Sequence, residues 1–353
     1  MSQNLLSKEE SSSIQGVAIF FIVLHNLLHW VMPIAENEFY FSLDRSKQYI
    51  ASIVDCNPDL WKETFSFVGW YGVAAFLFVS GYGLTRKYGS GAMAAMSTKS
   101  FLWKHFKRLF LLMAIPYIPF AIMQITSKGY AQLCLQPLLL SNLYQPSTIN
   151  PGIFWFFGLI WQFYILFAIL RLFMFRKPTA GWVCIVALNV ISVVWMSLMP
   201  GDSPALNVVR HNSIGWVLPF TLGIGAARCP QLNSWFDTSW KCLIIFVVGS
   251  ALTILANLNY YCWLFSPAFA IMAAVALTKM LAHIRPLYRL SLWMGGLSAF
   301  LFAIHPSTRL LCHSYCWDKM GSLPYIVGYL LLSIGLAYIY RIIHDKLYAR
   351  WLK

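Results

Sequence analysis

The sequence predicts an all-α polytopic membrane protein of about ten transmembrane helices, with N- and C-termini both cytoplasmic and residues 1–353 forming one domain. Composition is the first support. Hydrophobic residues make up 59% of the chain and charged residues only 11%, with a mean hydropathy of +0.63, whereas a soluble domain carries about 25% charged residues. The second is that apolar runs of bilayer length recur along the whole chain, and no polar stretch is long enough for a separate soluble domain. The third is the placement of basic residues, which cluster at alternate ends of those runs as cytoplasmic loops require.

The runs fall at about 14–34, 66–86, 103–126, 152–175, 180–199, 212–230, 241–258, 262–281, 290–312 and 323–345. The stretch 131–143 is apolar but short, and reads as re-entrant or interfacial. With a cytoplasmic N-terminus, 19 of the 26 Lys and Arg residues fall on cytoplasmic tips and 7 in outer loops, and counting 131–143 as a span would scramble that bias. The first run is too long for a cleavable signal peptide and leads into Glu36 and Glu38. These acids belong to the first outer loop, 35–65, which also holds Asp44, Asp55, Asp59 and Glu63. A connection of that length is usually functional or carries its own helix, and Tyr49 and Trp61 suggest that it lies along the interface. The net charge of +14 is explained by the cytoplasmic tips, so no nucleic-acid partner is expected. Of eight cysteines, only Cys312 and Cys316, beside His313, stand close together; isolated small hydrophobes are the simpler reading, and no metal site is expected.

The first run, Ile14–Pro33, holds the most telling polar residues. His25 lies roughly 16 Å past Ile14, near mid-membrane, where a titratable ring is costly unless it faces a partner or a wet cavity. His25 and His29, four residues apart, share a helix face. Neutral imidazole is the usual general base near neutral pH; a packing hydrogen bond between helices is the plainer alternative, stronger for His29 near the outer end. In the second run, Ser80-Gly81-Tyr82-Gly83 is followed by Arg86 and Lys87, and Lys99, Lys104, His105, Lys107 and Arg108 precede the third. A basic end of this kind suits an anionic group such as a phosphate, with small-residue packing and ordinary positive-inside flanks as the alternative. Trp155, Gln162 and Tyr164 bring polar tips to the fourth run, and His305, Pro306 and Arg309 close the ninth. Acids are almost missing from the runs, which argues against a proton-driven carrier, and no nucleophile-elbow serine, H-E-x-x-H or carboxylate pair stands out.

Together these pieces resemble the acyltransferase-3 family, integral membrane enzymes that move acyl groups onto sugars and other acceptors. The resemblance rests on Gln15-Gly16-Val17-Ala18 leading to His25; Phe76-Leu77-Phe78-Val79-Ser80-Gly81-Tyr82; Lys107, Arg108 and Pro116; Trp155 with Gln162-Phe163-Tyr164; the Gly-Trp-x-x-Pro-Phe-x-x-Gly stretch from Gly215 to Gly223; and Ser298 to Pro306. It covers nearly the whole chain. Three positions depart from the family pattern. Gln15 stands where an arginine is expected, the spacing to His25 is one residue short, and Ile160 and Trp161 replace an acid. A charge lent to the histidine would then come from Arg86 or Arg108.

The resemblance implies an O-acyltransferase, most simply an O-acetyltransferase, in the bacterial inner membrane. It would use acetyl-CoA or another acyl-CoA as donor and a hydroxyl of a glycan or lipid-linked sugar as acceptor. His25 would be the catalytic base, and Arg86, Lys87, Arg108, Ser80 and Tyr82 would hold the donor. His29, Trp155, Gln162, Tyr164, His305 and Arg309 would line the acceptor site. A carrier or flippase for a glycan or lipid intermediate is the alternative from another class, although neither internal repetition nor matched broken helices are evident. A family member without activity, acting as a partner subunit, is a third reading.

Overall fold

The computed structural model describes residues 4–31, 34–89, 93–126, 130–144, 146–175, 177–316 and 321–351. Of the residues weighed above, Pro33, Lys128, Arg176, Lys319, Lys353 and the side chain of Cys316 lie outside this description. Every element among the described residues is helical. In chain order they are α1 (Lys8–Leu28), α2 (Leu43–Val54), α3 (Leu60–Val68), α4 (Tyr71–Tyr88), α5 (Thr98–Thr126), α6 (Tyr130–Leu135), α7 (Trp155–Met174) and α8 (Pro178–Ser197). Then follow α9 (Pro204–Arg210), α10 (Val217–Arg228), α11 (Ser239–Ala256), α12 (Tyr260–Trp263), α13 (Ser266–Leu281), α14 (Arg285–Cys316) and α15 (Leu323–Trp351).

Each of the ten apolar runs coincides with a helix. Seven of these helices are long and apolar enough to cross a membrane, and an eighth span is counted if α3 and α4, bent by 45° at their junction, act as one. The helices at the sixth and eighth runs, α10 and α13, are shorter, with 12 and 16 residues. The stretch 131–143 forms only the six-residue α6 and a 3-10 turn over Ser141–Leu143, too short to span.

Helix α1 begins earlier and stops sooner than its hydropathy suggests. Ser7 and Glu10 close a reciprocal capping box, each side chain accepting from the other residue's backbone N–H at 3.0 and 2.7 Å. Glu9 and Glu10 add negative charge to the positive end of the helix. The helix ends at Leu28, so His25 lies in its last turn, about 26 Å from Lys8 by the rise per residue. His25 is thus at the end of α1 and not midway along it: hydropathy cannot see that the polar residues Lys8–Ser13 are helical and lengthen α1 at the other end.

Close helix packing sets the frame around α1. A Cβ at Gly16 would overlap the Ser291 carbonyl of α14, and one at Gly295 would overlap the Ser12 carbonyl of α1. The Ser13 and Ser291 hydroxyls meet at 2.6 Å on the same seam. Gly81 and Gly223 do the same for α4 and α10, each facing a backbone carbonyl of the other helix, so the small-residue motif of the second run is a packing seam. At this end of the bundle Lys279 of α13 pairs with Glu10 of α1 at 2.7 Å.

At the opposite end, the long first loop folds inward over the helices. Asn37 donates to Ser46 Oγ and Asn257 Oδ1, Asn257 donates to Tyr71 Oη, and Tyr71 donates to Ser266 Oγ at 2.7 Å. The chain of bonds fastens the loop to α2, α4, α11 and the start of α13. Tyr49 is buried and stacks on Phe67, whereas Trp61 stays exposed, so the expected interfacial helix has one sealed face.

Candidate active site

Where α1 ends, the first loop, the short turns over 146–154, the start of α7 and the end of α9 enclose a cavity of about 270 Å³. His25 is 3% exposed in its wall. Its Nδ1 donates to the Ser66 carbonyl at 2.9 Å, which puts the proton on Nδ1 and leaves the Nε2 lone pair free. The Ser66 hydroxyl in turn donates to the Ile34 carbonyl, fixing the junction that aims the ring. Gly69 makes the approach feasible, because a Cβ there would strike the His25 Cβ and the Phe65 carbonyl.

Nε2 faces the Glu38 carboxylate, with Nε2 to Oε2 at 3.9 Å. Glu36 lies beside them on the same wall. Burial, and then the neighbouring Glu36 carboxylate, push Glu38 well above the usual carboxylate range despite the Arg210 charge. Burial would raise Glu36 too, but the facing imidazoles of His25 and His29, its own backbone N–H and Arg45 outweigh it and hold Glu36 below its ordinary value. Two carboxyls in one site thus differ in their affinity for a proton.

Arg309 of α14 enters the same cavity. Its Nη1 donates to the Asn26 carbonyl at 2.6 Å and its guanidinium covers Trp30 at 5.1 Å. The opposite wall is aromatic. Phe39 stacks on His211 at 3.9 Å, and Trp155 packs edge-on against both at 5.2 and 5.5 Å. His211 is held by a bond from Nδ1 to the Asn207 carbonyl at 2.8 Å, and burial pulls its pKa down to about 4.

Behind Glu38, the buried Arg210 is the keystone of the wall. Its Nε donates to the Glu38 carbonyl and its Nη1 to the Gly215 carbonyl, both at 2.8 Å. The indoles of Trp216, Trp263 and Trp70 surround it at 4.1, 5.0 and 5.6 Å. Burial lowers its pKa to about 10, which still leaves the guanidinium charged at neutral pH.

The residues singled out from sequence divide between two places. His25, His29, Trp155 and Arg309 converge on the cavity; the two imidazoles lie 5.3 Å apart on one face, and His29 Nδ1 donates to the His25 carbonyl. His305 is wholly buried one helical turn from Arg309, with Nδ1 on the Leu301 carbonyl and Nε2 without a partner among the described residues, and does not line the cavity. Gln162 braces the neighbouring turn through Asn212 Oδ1 and the Ser213 N–H, both at 2.7 Å.

Ser80, Tyr82, Arg86, Lys87, Arg108 and Tyr164 are not in the cavity wall. Arg86, Lys87 and Arg108 are exposed at the far ends of α4 and α5. Val73, on the cavity, is 13 residues from Arg86 along α4, about 20 Å by the rise per residue. Arg86 is therefore too far along α4 to lend its charge to His25, Arg108 is not in the cavity wall either, and Arg309 is the guanidinium that is. The Tyr82 hydroxyl is bonded to the N–H and carbonyl of Leu6, fastening the N-terminal segment. Tyr164 stacks on His105 at 4.1 Å, and Tyr88 Oη meets His105 Nε2 at 3.2 Å, an aromatic cluster beneath the basic surface.

Sequence reasoning missed Glu36, Glu38, Arg210 and His211 as site residues. The acids of the first loop were visible, but nothing in their spacing announced that the loop folds back onto α1.

A membrane-embedded bundle with a tautomer-fixed histidine in a polar cavity defines a multi-pass membrane protein with an enzyme-like site. The acyltransferase-3 family model, described as an acyltransferase domain, matches residues 12–342, and the chain belongs to that family. Comparisons with curated proteins and with solved structures give no match.

Proposed function

We propose that this acyltransferase is an O-acyltransferase, most simply an O-acetyltransferase of the bacterial inner membrane, moving an acyl group from acyl-CoA to a hydroxyl of a glycan or lipid-linked sugar. The observation that carries the reading is His25: Nδ1 is locked on the Ser66 carbonyl, and Nε2 is left bare towards a cavity. In the reaction, Nε2 takes the proton of the acceptor hydroxyl as its oxygen bonds to the acyl carbon. The thioester C–S bond breaks, and the proton passes to the departing thiolate. The Glu36 carboxylate, held below its ordinary value beside the two imidazoles, favours the transient imidazolium, with Glu38 at 3.9 Å from Nε2. Arg309 offers positive charge to the carbonyl oxygen as it becomes an oxyanion. The flat wall of Phe39, Trp155 and His211 receives the acceptor.

On this reading the donor's phosphates meet the cytoplasmic surface around Arg86, Lys87 and Arg108, where Lys87 is close enough to Lys104 and Arg108 to be repelled by them. The pantetheine arm carries the thioester away from those phosphates, towards His25. A second cavity of about 320 Å³, almost wholly apolar and bordered by Val17, Phe21, Gly72, Ala273 and Ala274, lies further back along α1 and favours a lipid-linked acceptor.

The test is purified protein in detergent with labelled acetyl-CoA and a lipid-linked sugar pool. Wild-type protein labels the acceptor, and His25→Ala lowers the rate by about 10²–10⁴-fold with insertion and thermal stability retained. Full activity in that variant removes His25 as the base. Acceptor movement without consumption of donor would make the protein a carrier.

A further inference from the structure

The corner formed by His25, Glu36 and Glu38 has a property that base catalysis does not need. His25 Nε2 and one carboxylate oxygen from each acid all lie within 4.8 Å of one another. The Glu38 side chain is 9% exposed and makes no hydrogen bond among the described residues. The guanidiniums that could neutralise the acids are engaged with backbone carbonyls: Arg45 with that of Glu36, Arg210 with those of Glu38 and Gly215, and Arg309 with that of Asn26. None of the three forms an ion pair with either carboxylate among the described residues. Two acids and one imidazole lone pair therefore face one point in the cavity, and no guanidinium among the described residues reaches into that point to pair with them.

We propose that this corner binds one divalent transition-metal cation, of which Zn²⁺ is the best fit, through His25 Nε2, Glu36 and Glu38, and that occupancy inhibits acyl transfer. One nitrogen and two oxygens with an open fourth position match the ligand preferences of Zn²⁺. Bond lengths of about 2.0–2.2 Å need the three ligand atoms to draw in by roughly 1 Å, which rotation of the two glutamates into the cavity allows. The contact from Nδ1 to the Ser66 carbonyl is the outer-shell partner that metal-ligating histidines usually have, since it fixes the tautomer and turns Nε2 to the metal. Cation binding and proton abstraction use the same lone pair and exclude one another. The binding half stands on these residues alone; the inhibitory half rests on the acyltransferase reading.

The experiment is equilibrium dialysis of chelator-treated, full-length protein in detergent against Zn²⁺ alone, with Co²⁺ as a spectroscopic probe of coordination. One tight equivalent per chain is expected, with Co²⁺ bands of a low-coordinate nitrogen–oxygen site. Glu38→Gln and Glu36→Gln, which keep size and shape, each weaken binding by about 10–100-fold; if one fails to fold, the other gives the reading. Absence of a stoichiometric equivalent, or undiminished binding in a folded glutamine variant, overturns the site. In the transfer assay, Zn²⁺ inhibits and a chelator restores the rate; stimulation by Zn²⁺ overturns the inhibitory half. Zn²⁺ binding in a protein that never transfers an acyl group leaves the site standing and removes the acyltransferase reading instead.

Discussion

The two ends of the bundle handle polar groups in opposite ways. At the basic end Arg86 and Lys87 project into solvent from the last turn of α4 and Arg108 from α5, and Lys87 is repelled by Lys104 and Arg108 across the two helices. At the other end the ionisable groups are buried and facing: His25 against Glu38, Glu36 beside them, and Arg210 sealed among three indoles. Exposed charges recruit an anion at low energetic cost but are screened by salt and hold no fixed geometry. Buried ones cost desolvation, and the fold recovers that only by holding each group in one orientation. The difference teaches which end can do chemistry: among the described residues, the facing acids and imidazoles around a cavity are at the His25 end.

The contrast can be broken first at Arg309. Arg309→Ala removes the guanidinium from the cavity and lowers kcat of acyl transfer by about 10²–10³-fold, the range for loss of an oxyanion donor, with little change in the KM for acyl-CoA; an unchanged kcat would leave Arg309 with a packing role. Next is the keystone. Arg210→Met keeps much of the side chain's bulk but loses two charged hydrogen bonds and three ring contacts. About 3 kcal/mol of stability should go with them in thermal or denaturant unfolding, and activity should fall because Glu38 is released.

At the basic end the effect is smaller and of another kind. Lys87→Ala with Arg108→Ala should raise the KM for acyl-CoA by about fivefold while kcat holds, and the gap to wild type should close as salt is raised. A salt-independent loss of kcat would place these residues in the reaction instead.

The last prediction sharpens the electrostatics of the buried end. His211 titrates near 6.5 in the unfolded chain and near 4 in the fold. Its neutral form is the one that stacks on Phe39, so the unfolded state binds more protons as pH falls. Stability is therefore full above about pH 6.5, falls as pH drops towards 4, and flattens below. At pH 5.5 the loss is about 1 kcal/mol. His211→Asn should flatten that stretch of the stability–pH curve in thermal unfolding, and an unaltered slope would assign the acid sensitivity elsewhere.

The helical class, the apolar runs and the pairing of His25 with His29 were legible because they are local. Hydrophobicity is additive along a chain, and two residues four apart share a helix face whatever surrounds them. Four of the expected site residues, His25, His29, Trp155 and Arg309, meet in one cavity because each lies at a helix end that the topology brings to the same side. Tyr82, Gln162 and Tyr164 looked equivalent in sequence. Their hydroxyl, amide and ring instead serve Leu6, Asn212 with Ser213, and His105, and no local pattern separates a bracing polar group from one that faces a cavity.

By itself the sequence determined the solvent of this protein: so few charges and so many apolar runs leave a bilayer as the place where the chain can bury its surface. It also determined the imidazole pair and the basic end. Only the tertiary structure decided what His25 faces. The return of the first loop that brings Glu36 and Glu38 to it, and Arg210 to Glu38 from 172 residues away, is fixed by the bonds of Asn37 and by the indole box. Such contacts join residues distant along the chain, so their energy is written in no single stretch of it.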